Sequence, residues 1–378
     1  MSTNENKGKK AEVTALQAIS AEDRKDWISL AFVQAGICVC VPAFLLGALL
    51  AEAMPIWPAI ISGSLGYLIV VVGMVATGMI GCDLGLASCT CCQAGFGKSG
   101  ARFIVSTIFA VNMIGWFGIQ NGVCGEAFSN AMLAMTGWDI PVVVSNTIWG
   151  IIMLLTAVYG VHALEKLDKI SIPLLMAIMC YGTFLAFKIY GTGNLNDEGT
   201  VQSMSFMSGV ALSFNFTAVG TITGPDYTRF QKSRKDTVKS VFYGVFPMGV
   251  ITLIMGIVLT KLSGQYDISM VLIEVGLPFL GIVALVISTW TTNSTNAYSA
   301  GLNIVMALKL NDNRRREATL ISGIIGIVLC DLGILGHVEG VLSLLSYVVC
   351  PVGGVILADY WVVGRGKAKN FRPQDGVN

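Results

Sequence analysis

Long apolar stretches without charged residues recur along the whole chain, and no other sequence feature constrains its fold so strongly. A membrane-spanning α-helix needs roughly 20 mostly apolar residues. The sequence therefore predicts ten spans, at residues 28–51, 55–81, 102–129, 140–162, 170–190, 204–224, 238–262, 276–305, 318–336 and 340–362. The composition agrees, with 54% hydrophobic residues, 12% charged residues and a mean hydropathy of +0.71. It excludes a nucleic-acid binder, a disordered chain and an ordinary cytosolic enzyme.

Positively charged residues predict the orientation of these spans. Of the 24 Lys and Arg, all but Lys188 and Lys261 fall in the two termini or in the loops that follow spans 2, 4, 6 and 8. Such residues concentrate on the cytoplasmic side of a membrane. We therefore expect a multi-pass protein of the plasma (inner) membrane, with a cytoplasmic tail at 1–27, a core at 28–362 and a cytoplasmic tail at 363–378. The scarcity of Lys and Arg inside the spans favours a neutral or cationic cargo, although a helix N-terminus can also bind an anion.

Two spans carry helix-breaking residues in matching positions. These residues are Gly36, Pro42 and Gly47 in span 1, and Gly220, Gly224 and Pro225 in span 6. Backbone groups freed by such breaks must be buried or line a cavity. The breaks lie five spans apart, in spans 1 and 6, and five is an odd number, so a second set of five spans would insert in the opposite orientation. The pattern therefore predicts an inverted-repeat secondary transporter, with repeat 1 at about 28–190 and repeat 2 at about 204–362. Either break alone is also compatible with an ordinary kink or packing point.

The centre of span 8 is unusually polar, reading STWTTNSTN from Ser288 to Asn296. Unpaired polar groups are costly in an apolar medium, so these residues must face protein, water, substrate or ions. Hydroxyl and carbonyl oxygens are the ligands of hard cations. The run therefore indicates a cation site formed with the backbone of span 1. The alternative is Ser, Thr and Asn holding helices together by hydrogen bonds.

Three further positions are candidates for function. Trp116 and Gln120 are four residues apart in span 3 and share one face of a helix, where they suit a flat ring with hydrogen-bonding edges. Phe216, beside the break in span 6, is a candidate for a second ring face. Asp331 in span 9 is expected to be the most buried acid and the first candidate for a proton relay. The cysteine cluster CTCC at 89–92 has neither the number nor the spacing of ligands for a transition-metal site.

Four motifs resemble those of the nucleobase–cation symporter family and, within it, of bacterial cytosine permeases. They are GWFG in span 3, TITGPDYTRF in span 6, WTTN in span 8 and CPVGGVILADYW in span 10. The resemblance covers residues 28 to 362. It implies an all-α polytopic membrane protein with a five-plus-five inverted-repeat (LeuT-like) core that works by alternating access.

The resemblance also implies roles for individual residues. Trp116 and Phe216 match the aromatic residues on the two faces of the base, and Asn293 matches an amide that reads the ring edge. Sodium ligands are matched by the hydroxyl groups of Thr291 and Thr292 and by the backbone carbonyls of Gly36, Val39 and Ser288.

The chain also departs from the family pattern. Met113 stands where cytosine permeases have Gln, Ala218 stands where they have Ser, and Gln120 occupies a position where hydantoin-type relatives carry an amide. Family members usually have twelve spans, so the last two are expected to be missing, in a short natural form or a truncated one.

The sequence thus predicts symport of a nucleobase, cytosine or a related flat heterocycle, with Na⁺ as the favoured co-transported ion and H⁺ as the alternative. No enzymatic activity and no bound cofactor are expected. Three alternatives remain open. They are the same fold carrying an amine or amino acid, a proton-coupled carrier of purine, allantoin or hydroxymethylpyrimidine, and a receptor that binds without transporting.

Overall fold

The protein is described by a computed structural model that covers residues 16–196, 204–265 and 268–378. Residues 1–15 of the predicted N-terminal tail lie outside the described residues. Twelve α-helices of at least 9 residues account for most of the described chain. They are α1 (Trp27–Cys38), α2 (Val41–Ala53), α3 (Ile56–Leu84), α4 (Ser106–Thr136), α5 (Val142–Val158), α6 (Val161–Tyr190), α7 (Phe206–Thr217), α8 (Gly220–Thr228), α9 (Arg234–Ser263), α10 (Pro278–Ala307), α11 (Arg315–Asp331) and α12 (Val338–Leu357).

Each of the ten predicted spans coincides with one helix or with a pair of consecutive helices. By length and composition, five helical segments within the described ranges can cross a membrane, and the bent pair α1–α2 makes a sixth. Helix α10 has 30 residues, but the polar run at its centre makes it less apolar. Helices α5 and α11 have 17 residues each.

Span 5 begins earlier than predicted, and this changes the environment of its charged residues. Its helix α6 starts at Val161 instead of residue 170, directly after Gly160, whose positive φ of 82° ends the preceding segment. Lys166 and Lys169 therefore lie on a helix and not in a loop. Asp168 lies between them on the same turn, on the side of α6 that faces the protein interior.

The break in span 1 lies between α1 and α2, whose axes differ by 51°. Val39 has non-helical backbone angles (φ −88°, ψ 75°) and Cys40 is extended (φ −141°, ψ 160°). Pro42 falls in the first turn of α2, where a missing N–H is tolerated because it would have no partner within the helix. The predicted break in span 1 is therefore present, at Val39 and Cys40.

Span 6 is less disrupted than predicted. Gly224 and Pro225 lie inside α8, and the interruption falls at Ala218 and Val219, whose backbone angles stay near helical values. Pro225 has no N–H to donate to the carbonyl of Thr221 one turn earlier. The hydroxyl of Thr77 from α3 donates to that carbonyl instead, at 2.5 Å. Span 6 is thus interrupted at 218–219, next to Gly220, and not at Gly224–Pro225, where a neighbouring helix satisfies the freed backbone group.

Glycines allow α9 to pack directly against the backbone of span 1. A β-carbon at Gly256 would lie 2.5 Å from the carbonyl oxygen of Phe44, and one at Gly47 would lie 2.5 Å from that of Leu253. Small residues at such crossings are typical of helices that associate in membranes. At Gly244, a β-carbon would lie 2.6 Å from the carbonyl oxygen of Ala31 in α1, so α9 packs against both halves of the broken span.

The two ends of the described chain, near Arg24 and near Gln374, lie at the same end of the bundle. Arg24 donates to the carbonyl oxygens of Cys82 and Gln231 at 2.9 and 2.8 Å. Asp26 caps α1 by accepting from the Ser29 N–H at 2.9 Å, a bond that lowers the pKa of Asp26. Near the other terminus, the Lys98 N–H donates to the Gln374 carbonyl at 2.7 Å. An even number of spans requires this arrangement.

Candidate binding sites at the helix breaks

A cavity of about 710 Å³, including its open mouth, lies where α1, α2 and α3 face α4, α7 and α10. Most of its lining is apolar. Hydrogen-bonding groups come from Gln34, Tyr67, Gln120, Thr217, Thr292 and Asn296, and aromatic surface from Trp116 and Phe216. An apolar wall that carries a few polar groups is typical of a small-molecule site. None of the lining residues in the described chain is Lys or Arg.

Trp116 and Gln120 both line this cavity from α4, as their spacing predicts. Trp116 is 8% exposed and Gln120 is 2% exposed. The Oε1 atom of Gln120 is buried and has no hydrogen-bond partner among the described residues. Phe216 lines the cavity from α7. The indole of Trp116 and the unpaired Oε1 of Gln120 therefore lie on the same wall of the cavity.

Gln34 contributes a second amide, which the sequence interpretation did not identify. Its Nε2 donates to the Ser240 hydroxyl at 3.2 Å, and that hydroxyl donates to the Thr237 carbonyl at 3.1 Å. Since Ser240 uses its proton on Thr237, it can only accept from Gln34, which fixes the orientation of the amide. The Oε1 atom of Gln34 is buried without a partner among the described groups. The signal in the sequence was a glutamine two residues before Gly36 in the broken span.

Asn293 does not line the cavity, and Asn296 does. The Nδ2 of Asn293 donates to the Phe117 carbonyl at 3.1 Å, so its amide joins α10 to α4. Asn296 follows Thr292 by four residues and therefore shares the cavity face of α10 with it. Asn296 in turn donates to the Oδ1 of Asn293 at 3.4 Å. The α10 amide that lines the cavity is therefore that of Asn296, one turn after the predicted Asn293.

Met113 and Ala218 also lie outside the cavity lining. Met113 is 2% exposed and Ala218 is fully buried. Met113 belongs to the same hydrophobic cluster as Trp116. Their substitution for polar residues of cytosine permeases therefore alters the packing around the cavity and not its wall.

The oxygen atoms predicted to bind a cation come together where α10 passes the break in span 1. Thr291 Oγ1 lies 3.2 Å from the Gly36 carbonyl oxygen and 3.1 Å from that of Ser288. Thr292 Oγ1 lies 2.7 and 3.2 Å from the same two oxygens. Val39 lies at the end of α1, where non-helical angles direct its carbonyl away from the helix axis. Such a set of neutral oxygens is suited to a hard monovalent or divalent cation.

Asp168 is a buried acid beside this oxygen cluster, and sequence analysis missed it. It is fully buried on α6, and neither carboxylate oxygen has a hydrogen-bond partner in the described part of the chain. The signal was helical spacing, because Asp168 follows the buried Leu164 by four residues and precedes the buried Leu175 by seven. Placing it in a loop concealed that pattern.

Asp331, by contrast, was expected to be the most buried acid and is exposed. It is the last residue of α11, and its Oδ1 accepts from the Asn146 amide at 3.0 Å. The span ends at this residue instead of continuing to 336, which brings the carboxylate to the end of the bundle. The expectation of burial is therefore wrong.

Two arginines assigned to loops are also fully buried. Arg229 donates to the Tyr298 hydroxyl at 2.8 Å, and Arg315 donates to the Val158 carbonyl at 3.0 Å. Both lie at the end of the bundle that holds the chain termini, where α8 and α11 meet the ends of other helices. The sequence predicted few Lys and Arg inside the spans, and these two add buried positive charge at the ends of the helices, although neither lines the cavity.

These features define a class of protein. A cavity and an oxygen-lined site that meet at a broken membrane helix, within a bundle of ten spans, are the features of a secondary transporter with inverted repeats. Residues 19–372 match the family described as permease for cytosine/purines, uracil, thiamine, allantoin. The chain belongs to this family, which confirms the resemblance seen in its motifs.

Relatives and solved structures agree with this membership. The chain is 29% identical over 352 residues to the cytosine permease of Escherichia coli (strain K12), covering 92% of this chain and 80% of that protein. It is 23% identical over 382 residues to the allantoin permease of Bacillus subtilis (strain 168), covering 91% and 77%.

Among solved structures, the chain matches Mhp1 with a TM-score of 0.84 at 18% identity, covering 96% of this chain and 86% of Mhp1. Mhp1 is a nucleobase-cation-symport-1 family transporter, and the matched structure is in a closed conformation with bromovinylhydantoin bound. A Na⁺-coupled sialic acid symporter matches with a TM-score of 0.69 at 13% identity, covering 93% and 82%. The chain therefore has the five-plus-five inverted-repeat fold.

Proposed function

We propose that this chain imports a nucleobase, cytosine or a related flat heterocycle, by symport with a cation, sodium being favoured over protons. The observation that carries the proposal is the pairing of Trp116 with Gln120 on one wall of a cavity that opens onto the break in span 1. A ring that stacks on the indole would present its edge to the amide. Relatives named as permeases of cytosine and allantoin support this class of substrate.

The free hydrogen-bonding groups of the cavity favour a ligand that carries N–H donors. The Oε1 atoms of Gln34 and Gln120 are both buried acceptors for which residues 16–196, 204–265 and 268–378 provide no donor. A buried acceptor without a donor raises the free energy of the protein. A ligand that supplies a donor removes this cost in addition to forming the hydrogen bond. Nucleobases and related cyclic amides carry N–H groups on the edge of a planar ring, which suits two acceptors at the wall of an apolar cavity.

Thr292 provides a physical link between substrate and cation. Its side chain lines the cavity, and its hydroxyl contacts the carbonyls of Gly36 and Ser288. A sodium ion held by these oxygens would fix α10 against the end of α1. Since Cys38 and Cys40 in the same break also line the cavity, an ordered break would favour the conformation that binds substrate. Rocking of one bundle against the other then exposes the loaded site to the opposite side.

The proposed orientation has both termini in the cytoplasm of an inner membrane. It is supported by the distribution of Lys and Arg and by the location of both termini at one end of the bundle. Substrate would then enter from the end remote from the termini.

The test of the substrate class is ligand binding by the purified protein and a Trp116→Ala variant. Bases and amino acids are screened by thermal shift, since binding raises stability by mass action. We expect cytosine or a related base to stabilise the wild type, and Trp116→Ala to lower its affinity about 10- to 100-fold through loss of stacking.

Trp138→Ala is the matched control, because Trp138 is 69% exposed and lies outside the cavity. Unchanged affinity in Trp116→Ala would contradict the stacking role. Stabilisation by amino acids and by no base would contradict the proposed substrate class. Base binding without counterflow in proteoliposomes would identify a receptor.

A further inference from the structure

The carboxylate of Asp168 lies against the residue that organises the proposed cation site. Its Oδ1 is 2.6 Å, its Cγ 2.9 Å and its Oδ2 3.2 Å from the position that a β-carbon would take on Gly36. Adding one carbon–carbon bond length places Oδ1 within about 4 Å of the Gly36 α-carbon. The Gly36 carbonyl is the oxygen that both Thr291 and Thr292 contact. Three helices, α1, α6 and α10, therefore meet here.

Asp168 has no charge partner among the described residues. It is fully buried, and both of its oxygens lack a hydrogen-bond donor. The neighbouring Lys169 instead contacts Glu165 Oε1 at 2.7 Å and the Ser29 hydroxyl at 3.1 Å. Lys25 also pairs with Glu165. Lys169 and Lys25 are thus engaged by Glu165, and Lys166 is exposed, on the side of α6 away from the buried Asp168.

An isolated buried carboxylate is among the least favourable arrangements in a protein, and natural structures pair such charges or use them to bind metal ions. The oxygens gathered at Gly36 are all neutral, so they carry no net charge to offset that of a cation. A carboxylate at this place supplies it, and the number of charged ligands is a main determinant of cation affinity. A bound cation would therefore give the Asp168 carboxylate a charge partner, and the carboxylate would give the neutral oxygen cluster the negative charge that it lacks.

We propose that Asp168 is the anionic member of the cation site formed by Gly36, Ser288, Thr291 and Thr292. This inference rests on the proposed sodium-coupled function and adds a third helix, α6, to the site. The ion would neutralise the carboxylate and draw α6 towards the break in span 1. The absence of a side chain at Gly36 leaves the space that the carboxylate occupies.

The test compares the sodium response of the wild type with that of Asp168→Asn, which removes the charge and keeps the shape. The melting temperature of purified protein is measured as NaCl replaces choline chloride at constant ionic strength. We expect sodium to stabilise the wild type and Asp168→Asn to need at least about tenfold more sodium for the same stabilisation. Asp331→Asn is the matched control, because it removes an exposed carboxylate remote from Gly36 and should follow the wild-type curve.

A sodium curve for Asp168→Asn that overlays that of the wild type would overturn the inference and leave sodium coupling intact. A wild type that binds base but does not respond to sodium would overturn the sodium proposal itself. Should Asp168→Asn fail to fold, infrared difference spectra of the wild type with and without sodium decide the question. A sodium-induced change in a carboxylate stretching band supports the inference, and a spectrum without one overturns it.

Discussion

At the scale of single residues, the cavity is defined by a few polar groups in an apolar wall. Trp116 supplies a ring face, and the amides of Gln34 and Gln120 supply free acceptors. Thr292 belongs both to the wall of the cavity and to the oxygen cluster at Gly36. Under the proposed function, selectivity for a heterocycle and response to a cation would therefore depend on neighbouring atoms.

Replacing Gln120 with Met tests the role of the free acceptor, because Met keeps the length of the side chain and removes the amide. We expect the affinity for an N–H-bearing base to fall about 10- to 100-fold, the range that corresponds to a lost hydrogen bond in a buried site. Isothermal titration with cytosine measures this change. Gln93→Met is the control, since Gln93 contacts Met306 outside the cavity, and equal affinities of the two variants would contradict the assignment.

Residue types predicted some of these positions well and others poorly. Thr291 and Thr292 were identifiable because adjacent hydroxyls in a membrane helix have few uses, and the structure brings both to Gly36. Asn293 was assigned to the substrate through the resemblance of WTTN to the family motif, but the rotation of α10, which sequence alone does not fix, brings Asn296 to the cavity instead. Asp168 was missed because its flanking lysines made the start of α6 resemble a loop.

At the scale of elements, the two broken spans differ in how their backbone groups are satisfied. At the break between α1 and α2, the adjoining turns supply the partners, because the Val39 N–H donates to the Ala35 carbonyl at 2.8 Å and the Cys40 carbonyl accepts from the Ala43 N–H at 3.0 Å. In span 6, the Thr77 hydroxyl replaces the bond that Pro225 cannot make, so the helix continues through the proline. Sequence analysis identified Pro42 and Pro225 as helix-breaking residues, but it did not include Thr77 on α3, which supplies the hydrogen bond that Pro225 cannot make.

A double-mutant cycle on Thr77 and Pro225 tests this explanation. Thr77→Val should destabilise the protein by about 1–3 kcal/mol, because it leaves the Thr221 carbonyl buried without a donor. In a Pro225→Ala background the alanine N–H can bond that carbonyl, so the same change should cost less. Unfolding in detergent gives both values. Equal costs in the two backgrounds would show that Thr77 does not compensate for the proline.

At the scale of the whole molecule, periodicity and charge distribution predicted the architecture closely. Ten apolar stretches each became a helix or a helix pair, and an even number of spans brings both termini to one end of the bundle. The inverted-repeat fold follows from two spans whose breaks are five apart, and the match to Mhp1 agrees with it. The hydrophobic pattern could not predict that α6 packs against α1, because contacts between helices that are distant in sequence depend on the rotation and tilt of each helix.

The central claim is that uptake of a base is driven by sodium through the site at Gly36. Proteoliposomes loaded without sodium are placed in medium containing radiolabelled cytosine, with either NaCl or choline chloride outside and the same pH on both sides. We predict accumulation above the external concentration only with an inward sodium gradient, and its collapse when an ionophore dissipates that gradient. Accumulation that is the same with choline as with sodium would contradict the account.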